Sequence, residues 1–175
     1  SDFTGAAKST GFTGKLGLTF KATDDLTLGA SYQMKTRLGD MKTASTGATM
    51  SFNYVNSLNP AANEQAAVPG QILIHNFQMP SVFALGGSFN ASPALQLNFD
   101  VKRIGWKSVM EKFSMTFDSA MLAGMGYGPM NFAMTQNWKD QTVVSFGGAY
   151  KMNDALVLRA GYSHSTNPVP DATVH

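Results

Sequence analysis

The sequence contains no cysteine and little charge. The absence of cysteine among its 175 residues excludes disulfide scaffolds and thiolate metal sites. Charged residues make up 14% of the chain, whereas soluble domains typically carry about a quarter. The net charge is only +2 and the basic residues are dispersed, which argues against a nucleic-acid partner. The chain is rich instead in Gly (17), Phe (12) and Met (11), so it is short of groups that solvate a surface.

Long apolar runs are also missing. No segment approaches the roughly 18 to 20 consecutive apolar residues that a membrane helix needs. The mean hydropathy of −0.10 is typical of soluble proteins, but strands with one lipid face and one wet face also average near zero. Residues 1–10 lack a basic region followed by an apolar core, so we expect either a cleaved signal peptide or a start inside a larger protein.

One patterned hairpin occurs three times, at 17–32, 86–101 and 147–162. In each copy a glycine leads, an aromatic residue follows, a turn rich in Asp, Asn, Ser or Pro comes next, and an L-x-L pair opens the return strand. Apolar residues alternate with small or polar ones, which gives each strand one apolar and one mostly polar face. Three copies predict repeated up-and-down antiparallel strands.

Short and long connections alternate along the chain. The hairpins cover 12–37, 77–106 and 138–164. Their turns are short, whereas long outer loops are predicted around 40–70 and 119–136. Outer-membrane barrels show this asymmetry, with tight periplasmic turns and long external loops. The pattern therefore predicts an all-β fold in which residues 1–175 form one segment, of about six or seven strands, of an antiparallel up-and-down transmembrane β-barrel.

Three finer predictions concern the stretches between the turns. Residues 71–90 form one strand that is kinked at Pro80, because proline removes a donor from the ladder. Residues 107–117 extend the strand that precedes them. The glycines and Pro129 favour a loop over a helix at 119–125.

Alternation alone is equally compatible with a soluble β-sandwich or barrel, whose apolar face would be inside. Three features favour the membrane barrel: the low charge, the rhythm of the connections, and glycines on the polar face. Those glycines are Gly17, Gly29, Gly86, Gly147 and Gly161.

Several motifs resemble the FadL family, Gram-negative outer-membrane channels for long-chain fatty acids and aromatic hydrocarbons. They are N-W-K-D at 137–140, G-x-x-Y at 147–150, N-D-x-L-x-L-R-x-G-Y at 153–162, N-P-V-P at 167–170 and L-T-L-G-A-S-Y-Q at 26–33. The resemblance implies a fourteen-stranded barrel with an amino-terminal plug. This chain shows neither the plug nor the final strands, so it is identified as an internal-to-late segment. It departs from the family at Ser165 and Thr166, where members often carry Asp.

Catalysis and metal binding are not predicted. His164 stands between Ser163 and Ser165, but neighbours along a strand point to opposite faces, so no nucleophile–base pair follows. The other mid-chain histidine is His75. No spacing of His, Asp or Glu repeats a ligand pattern, and no glycine-rich phosphate loop precedes a helix, so we expect no enzyme, metal site or cofactor.

The function predicted is passive uptake of a hydrophobic molecule across the bacterial outer membrane. A fatty acid needs an apolar path for its tail and a cation or hydrogen-bond donor for its carboxylate. Side chains alternate between the two faces of a strand, so residues at every second position share the polar face. This alternation predicts that the lumenal ligand-binding residues are Arg159, Lys102, Asp100, Lys35, Arg37 and Ser163. Arg159 is the best single candidate, although lumenal charges often pair with each other across strands.

Two alternatives stay open. One is a general porin, in which rings of charged residues would line the lumen; the other is a soluble β-barrel that binds a hydrophobic ligand. The expected partners are a hydrophobic small molecule and outer-membrane lipid, with no obligatory protein partner. The Met-rich stretch 119–136 is predicted either to capture substrate at the surface or to pack against the barrel.

Overall fold

The structure, a computed structural model, describes residues 7–55 and 63–171. Its elements are β1 (Gly11–Phe12), β2 (Lys15–Lys21), β3 (Leu26–Gln33), β4 (Arg37–Leu38), β5 (Met41–Lys42), β6 (Ala48–Val55), β7 (Asn63–His75), β8 (Val82–Ser92), β9 (Leu95–Ile104), a 3₁₀ turn (Trp106–Ser108), β10 (Lys112–Asp118), α1 (Ala120–Gly124), β11 (Met130–Thr135), β12 (Gln141–Lys151) and β13 (Val157–Ser165). Within these ranges, no helix has the length and apolar character needed to span a bilayer.

The chain divides into two compact units. The six-stranded unit comprises Phe12–Arg37, Gln78–Glu111 and Gln136–His175. The five-stranded unit comprises Ser1–Gly11, Leu38–Phe77 and Lys112–Thr135. The sequence predicted a single barrel segment with long loops, whereas the two long connections fold together as a unit of their own.

The six-stranded sheet has the order β13-β12-β9-β8-β3-β2, and every neighbouring pair is antiparallel. The three repeated stretches form the hairpins β2–β3, β8–β9 and β12–β13. The predicted all-β, antiparallel, up-and-down architecture is therefore confirmed. Among the described strands, β2 and β13 are the open edges of this sheet.

The register gives the six-stranded sheet two different faces. The apolar face includes a row across all six strands, formed by Phe20, Leu28, Gly87, Phe99, Phe146 and Tyr162. The polar face includes the row Thr19, Gly29, Gly86, Asp100, Ser145 and Ser163. Most large side chains of the apolar face are exposed, as Phe146 and Tyr162 are. Such an extended apolar surface needs a non-aqueous partner.

The five-stranded unit is organised around β7, which pairs with β5, β6 and β10, while β11 pairs with β10. Its core lies where Phe117, only 2% exposed, meets Gly70. A Cβ at Gly70 would lie 2.5 Å from Cζ of the Phe117 ring, so only glycine leaves room for that ring.

The structure corrects the prediction of long outer loops around 40–70 and 119–136. Within 40–70, β5, β6 and the first part of β7 are paired strands, and the residues 56–62 of this prediction lie outside the described ranges. Within 119–136, α1 and β11 replace the predicted loop. Pairing across β7 and β10 satisfies backbone groups that an isolated segment would leave to water, and local composition does not reveal it.

The structure also divides two segments that were each predicted to be one continuous strand. The strand expected at 71–90 ends at His75 and resumes at Val82, so Pro80 lies in a connection rather than at a kink. Asn76, with φ of 54°, breaks the extended backbone directly after His75. The expected extension over 107–117 is wrong, because the 3₁₀ turn ends the preceding strand and β10 belongs to the other unit.

Candidate functional site

The polar face of the six-stranded sheet carries the candidate site. Asp100 on β9 is aligned with Gly86 on β8 and with Ser145 on β12, and Ser145 is aligned with Ser163 on β13. The two serine Oγ atoms are 3.1 Å apart, within hydrogen-bond distance. Residues from four strands therefore form one continuous polar row.

Asp100 also faces Lys102, two residues further along β9. Its Oδ2 is 3.5 Å from Lys102 Nζ. Oδ2 is buried and has no hydrogen-bond partner among the described residues, so the contact is an ion pair rather than a hydrogen bond. Both side chains remain partly exposed. The charge of Lys102 is thus partly compensated within the sheet, in keeping with the pairing that sequence analysis left open.

Arg159 lies on the same face, nearer the tight turns. It is aligned with Ala149, which is aligned with Gln96. Arg159 is four residues from Ser163, a separation of about 13 Å along the strand. It borders a cavity of ≈ 700 Å³ whose other charged lining residues are Asp25 and Lys151. Within the described ranges Arg159 forms no ion pair, whereas Lys151 is bound to Asp154 at 2.7 Å.

Lys35 and Arg37 are not brought to this face. Their predicted position assumed that the strand continues to residue 37, but β3 ends at Gln33. Lys35 follows the strand in a connection, and Arg37 begins the separate β4. Both side chains are exposed. The polar face of the sheet therefore brings Asp100, Lys102 and Ser163 together and carries Arg159 nearer the tight turns. Lys35 and Arg37 are not part of this face.

Small residues make the remainder of the polar face smooth. Gly17, Gly29, Ser31 and Ser88 are among the residues that line a cavity of ≈ 450 Å³ beside β2, β3 and β8. A Cβ built on Gly29 would have its nearest neighbour, Leu18 O, at 3.8 Å, so the space above this glycine is open. A molecule lying on this face would meet hydroxyl groups and backbone rather than large side chains.

Comparison with known proteins assigns the chain to a family. Residues 2–175 match the family described as outer membrane protein transport protein (OMPP1/FadL/TodX). The chain belongs to this family. The resemblance inferred from the motifs is confirmed, and so is the location of the protein in the bacterial outer membrane.

Three relatives illustrate the similarity. The Pseudomonas putida toluene transporter TodX is 32% identical, with a TM-score of 0.71 over 93% of this chain and 37% of its own. The Ralstonia pickettii toluene transporter TbuX is 27% identical, with a TM-score of 0.69 over 91% of this chain and 36% of its own. A Neisseria meningitidis serogroup B protein named as an outer membrane protein, NMB0088, is 27% identical over 93% of this chain and 34% of its own length. The chain thus spans about a third of the length of these relatives.

Membership in the FadL family fixes the roles of the two faces. In outer-membrane barrels the apolar face contacts lipid and the polar face lines the interior. The apolar face therefore faces the bilayer, and the row that contains Asp100 and Ser163 is lumenal. His164 is aligned with Val144 on the lipid side. Its neighbours along β13, Ser163 and Ser165, lie on the opposite face of the sheet.

The five-stranded unit of this FadL-family chain contains a polar network that no sequence pattern predicted. His75 Nδ1 is 2.6 Å from Asp40 Oδ2, and His75 Nε2 is 2.8 Å from Thr116 Oγ1. Thr116 Oγ1 in turn donates to Asn131 Oδ1 at 2.7 Å. The four residues come from separate parts of the sequence, and pairing of β7, β10 and β11 brings three of them together. No local motif signals this arrangement.

The network predicts a pH dependence of the five-stranded unit. The hydrogen bond from His75, and then that from the Asn76 amide, lower the pKa of Asp40 below its usual value. A lowered folded-state pKa stabilises the unit above the unfolded pKa of about 3.9, and this contribution is lost as the pH falls through the lowered value. We expect hydrogen exchange of β10 amides in the full-length protein to report weakened protection over that acidic interval.

The matched variant is Asp40→Asn, which keeps the shape of the side chain but cannot titrate. Its β10 amides should lack the acidic step and should be less protected than wild type at neutral pH. An identical pH profile in both proteins would show that another group is responsible.

Proposed function

We propose that this chain forms part of the wall of a channel through which hydrophobic molecules diffuse across the outer membrane. The observation that carries the proposal is the smooth lumenal face, on which small residues border a cavity of ≈ 450 Å³. Membership in a transport family supports it. The relatives named as toluene transporters, TodX and TbuX, and the monoaromatic hydrocarbon channel CymD indicate the class of substrate.

The proposed mechanism is passive and involves no covalent chemistry. An apolar molecule has no hydrogen bonds to satisfy, so it needs a path without large obstructing side chains and without strongly bound water. Several charges on this face are paired within the chain and so partly compensated. Lys102 faces Asp100, and Lys21 and Lys151 hold Asp24 and Asp154 at the turns. The path therefore offers few free charges that would retain water or ions.

We propose long-chain fatty acids and aromatic hydrocarbons as substrates, with Arg159 as the group that distinguishes between them. A fatty acid carries a carboxylate, and guanidinium groups bind carboxylates by paired, charge-assisted hydrogen bonds. Arg159 forms no ion pair in the described ranges, although Asp25 borders the same cavity, whereas Lys102 is paired with Asp100. Ser163, about 13 Å further along β13, would be a separate hydroxyl donor on the path rather than a partner of Arg159 at one carboxylate.

The path is tested by Gly29→Leu in the full-length protein. The Cβ of a leucine at Gly29 would meet no atom closer than 3.8 Å, so the variant should fold and narrow the path. We expect severalfold slower uptake of both radiolabelled toluene and oleate into cells that depend on this channel.

The matched control is Ala30→Leu, one residue further on and on the lipid face, which should transport normally. Unimpaired uptake by Gly29→Leu would contradict a path along this face.

Arg159→Ala should weaken the binding of oleate to the purified full-length protein by about 10- to 100-fold, which corresponds to the loss of a charge-assisted hydrogen bond, and should leave toluene uptake unaffected. Equal effects on both substrates would remove Arg159 from the proposal.

A further inference from the structure

The apolar face ends in a basic residue at the end of the sheet opposite the tight turns. Arg103 on β9 is aligned with Phe83 on β8 and with Thr142 on β12, in the row directly beyond Val101. It therefore shares the lipid side with Phe83 and Val101, both exposed. Since β9 is 10 residues long and about 9 to 11 residues cross an outer membrane, Arg103 lies one membrane thickness from the Ser92–Leu95 turn.

Two lysines line the same cavity as Arg103. Arg103, Lys107 and Lys139 line a cavity of ≈ 360 Å³ together with Glu111, Asn137, Trp138 and Asp140. Asp140 holds the group in place: one carboxylate oxygen lies 3.1 Å from the Arg103 guanidinium, and the other accepts the Lys107 amide at 3.2 Å. The cavity is thus lined by three basic and two acidic residues. The Lys107 and Lys139 ammonium groups form no ion pair within the part of the chain that the structure describes.

Two tryptophans mark the level of this cluster in the membrane. The rings of Trp106 and Trp138 pack edge to face, with centroids 5.3 Å apart. Trp106 Nε1 also donates to Gln141 Oε1 at 3.3 Å. Tryptophan is enriched where the bilayer meets water, at the level of the lipid headgroups. The basic group therefore lies beside headgroups, with the hydrocarbon-facing surface directly below it.

We propose that the rim cluster, Arg103, Lys107 and Lys139, binds the phosphate of an anionic membrane lipid whose acyl chains lie along the apolar face. The two free ammonium groups and the excess positive charge complement a phosphate. The continuity with Phe83 and Val101 supplies a surface for the attached chains. A lumenal substrate does not reach this site, because Arg103 projects from the outer side of the sheet.

The test uses full-length protein in nanodiscs that contain spin-labelled phosphatidylglycerol or phosphatidylcholine. Lys107→Gln/Lys139→Gln removes both free cations and keeps the Arg103–Asp140 pair. A basic residue near an anionic surface contributes about fivefold in affinity, so the double variant should lose about fivefold for each lysine in its preference for phosphatidylglycerol. Lys107→Arg/Lys139→Arg should retain the preference.

The matched control is Lys42→Gln/Lys112→Gln, which removes two exposed lysines of the five-stranded unit. An unchanged preference in the rim variant, or an equal loss in this control, would overturn the proposal. So would displacement of the lipid by inorganic phosphate at matched ionic strength, which would indicate a site for small anions. Toluene uptake by the same variants should be normal, so failure of the lipid site and failure of the transport function are told apart.

Discussion

Lysine in place of Phe99 is expected to lower the free energy of unfolding of the full-length barrel in lipid by about 2–4 kcal/mol, the cost of a cation near the bilayer midplane. Phe99 occupies the middle row of the apolar face, between Gly87 and Phe146. Its ring also covers Gly87, since a Cβ there would lie 2.7 Å from the Phe99 Cζ. The substitution therefore exposes a glycine backbone to lipid in addition to burying a charge.

The adjacent residue provides the control. Asn98 points to the lumen, in the row with Ser88 and Gly147, so Asn98→Lys places the same charge in a wet environment. Reversible guanidinium unfolding from lipid vesicles measures both variants. We expect a small change for Asn98→Lys. Equal destabilisation at the two positions would contradict the assignment of the faces.

The second large effect is expected at Phe117 in the five-stranded unit. Replacing this fully buried ring by alanine removes a side chain that is 2% exposed and packed on Gly70. Phe→Ala substitutions at such sites lower the free energy of unfolding by about 3–5 kcal/mol, because burial of the ring is lost and a cavity forms in its place. Native-state hydrogen exchange of the full-length protein should show this loss in β7 and β10, while the six-stranded sheet keeps its protection.

Phe132→Ala is the control for this prediction. Phe132 lies on the same unit, opposite Met115 on β10, but is 37% exposed. A half-exposed ring loses less burial and leaves no closed cavity, so the loss of protection should be much smaller. Equal losses in the two variants would show that Phe117 is not the packing centre of the unit.

The alternation of apolar and polar residues was sufficient to predict the three hairpins and their two faces. In each, alternation assigns the two faces, and a short turn fixes the register, so Leu28, Phe99 and Tyr162 reach the same face without further information. The same alternation predicted that Asp100 and Ser163 share one face of the sheet, and the register aligns both with Ser145. Sequence-based prediction works here because the partner strand is the next segment of the chain.

Prediction failed where a partner is distant in sequence. The segment at 63–70, with its alanines and Pro69, carries no strong strand signal, yet it pairs with β6 throughout its length. Continuing the alternation of β3 to residue 37 predicted that Lys35 and Arg37 are lumenal, because no residue near Gln33 indicates that the strand ends there. The rim cluster and the network of His75 likewise join residues more than thirty positions apart.

The strand repeat, the two faces of the six-stranded sheet and membership in the FadL family could all be predicted from the sequence. These features are encoded by alternation at period two and by short motifs, which require only neighbouring residues. Three features are visible only in the folded chain: the long connections form a second unit, Asp40 contacts His75, and Asp140 contacts both Arg103 and Lys107. Such contacts depend on pairing and packing between distant segments, and no local pattern records that geometry.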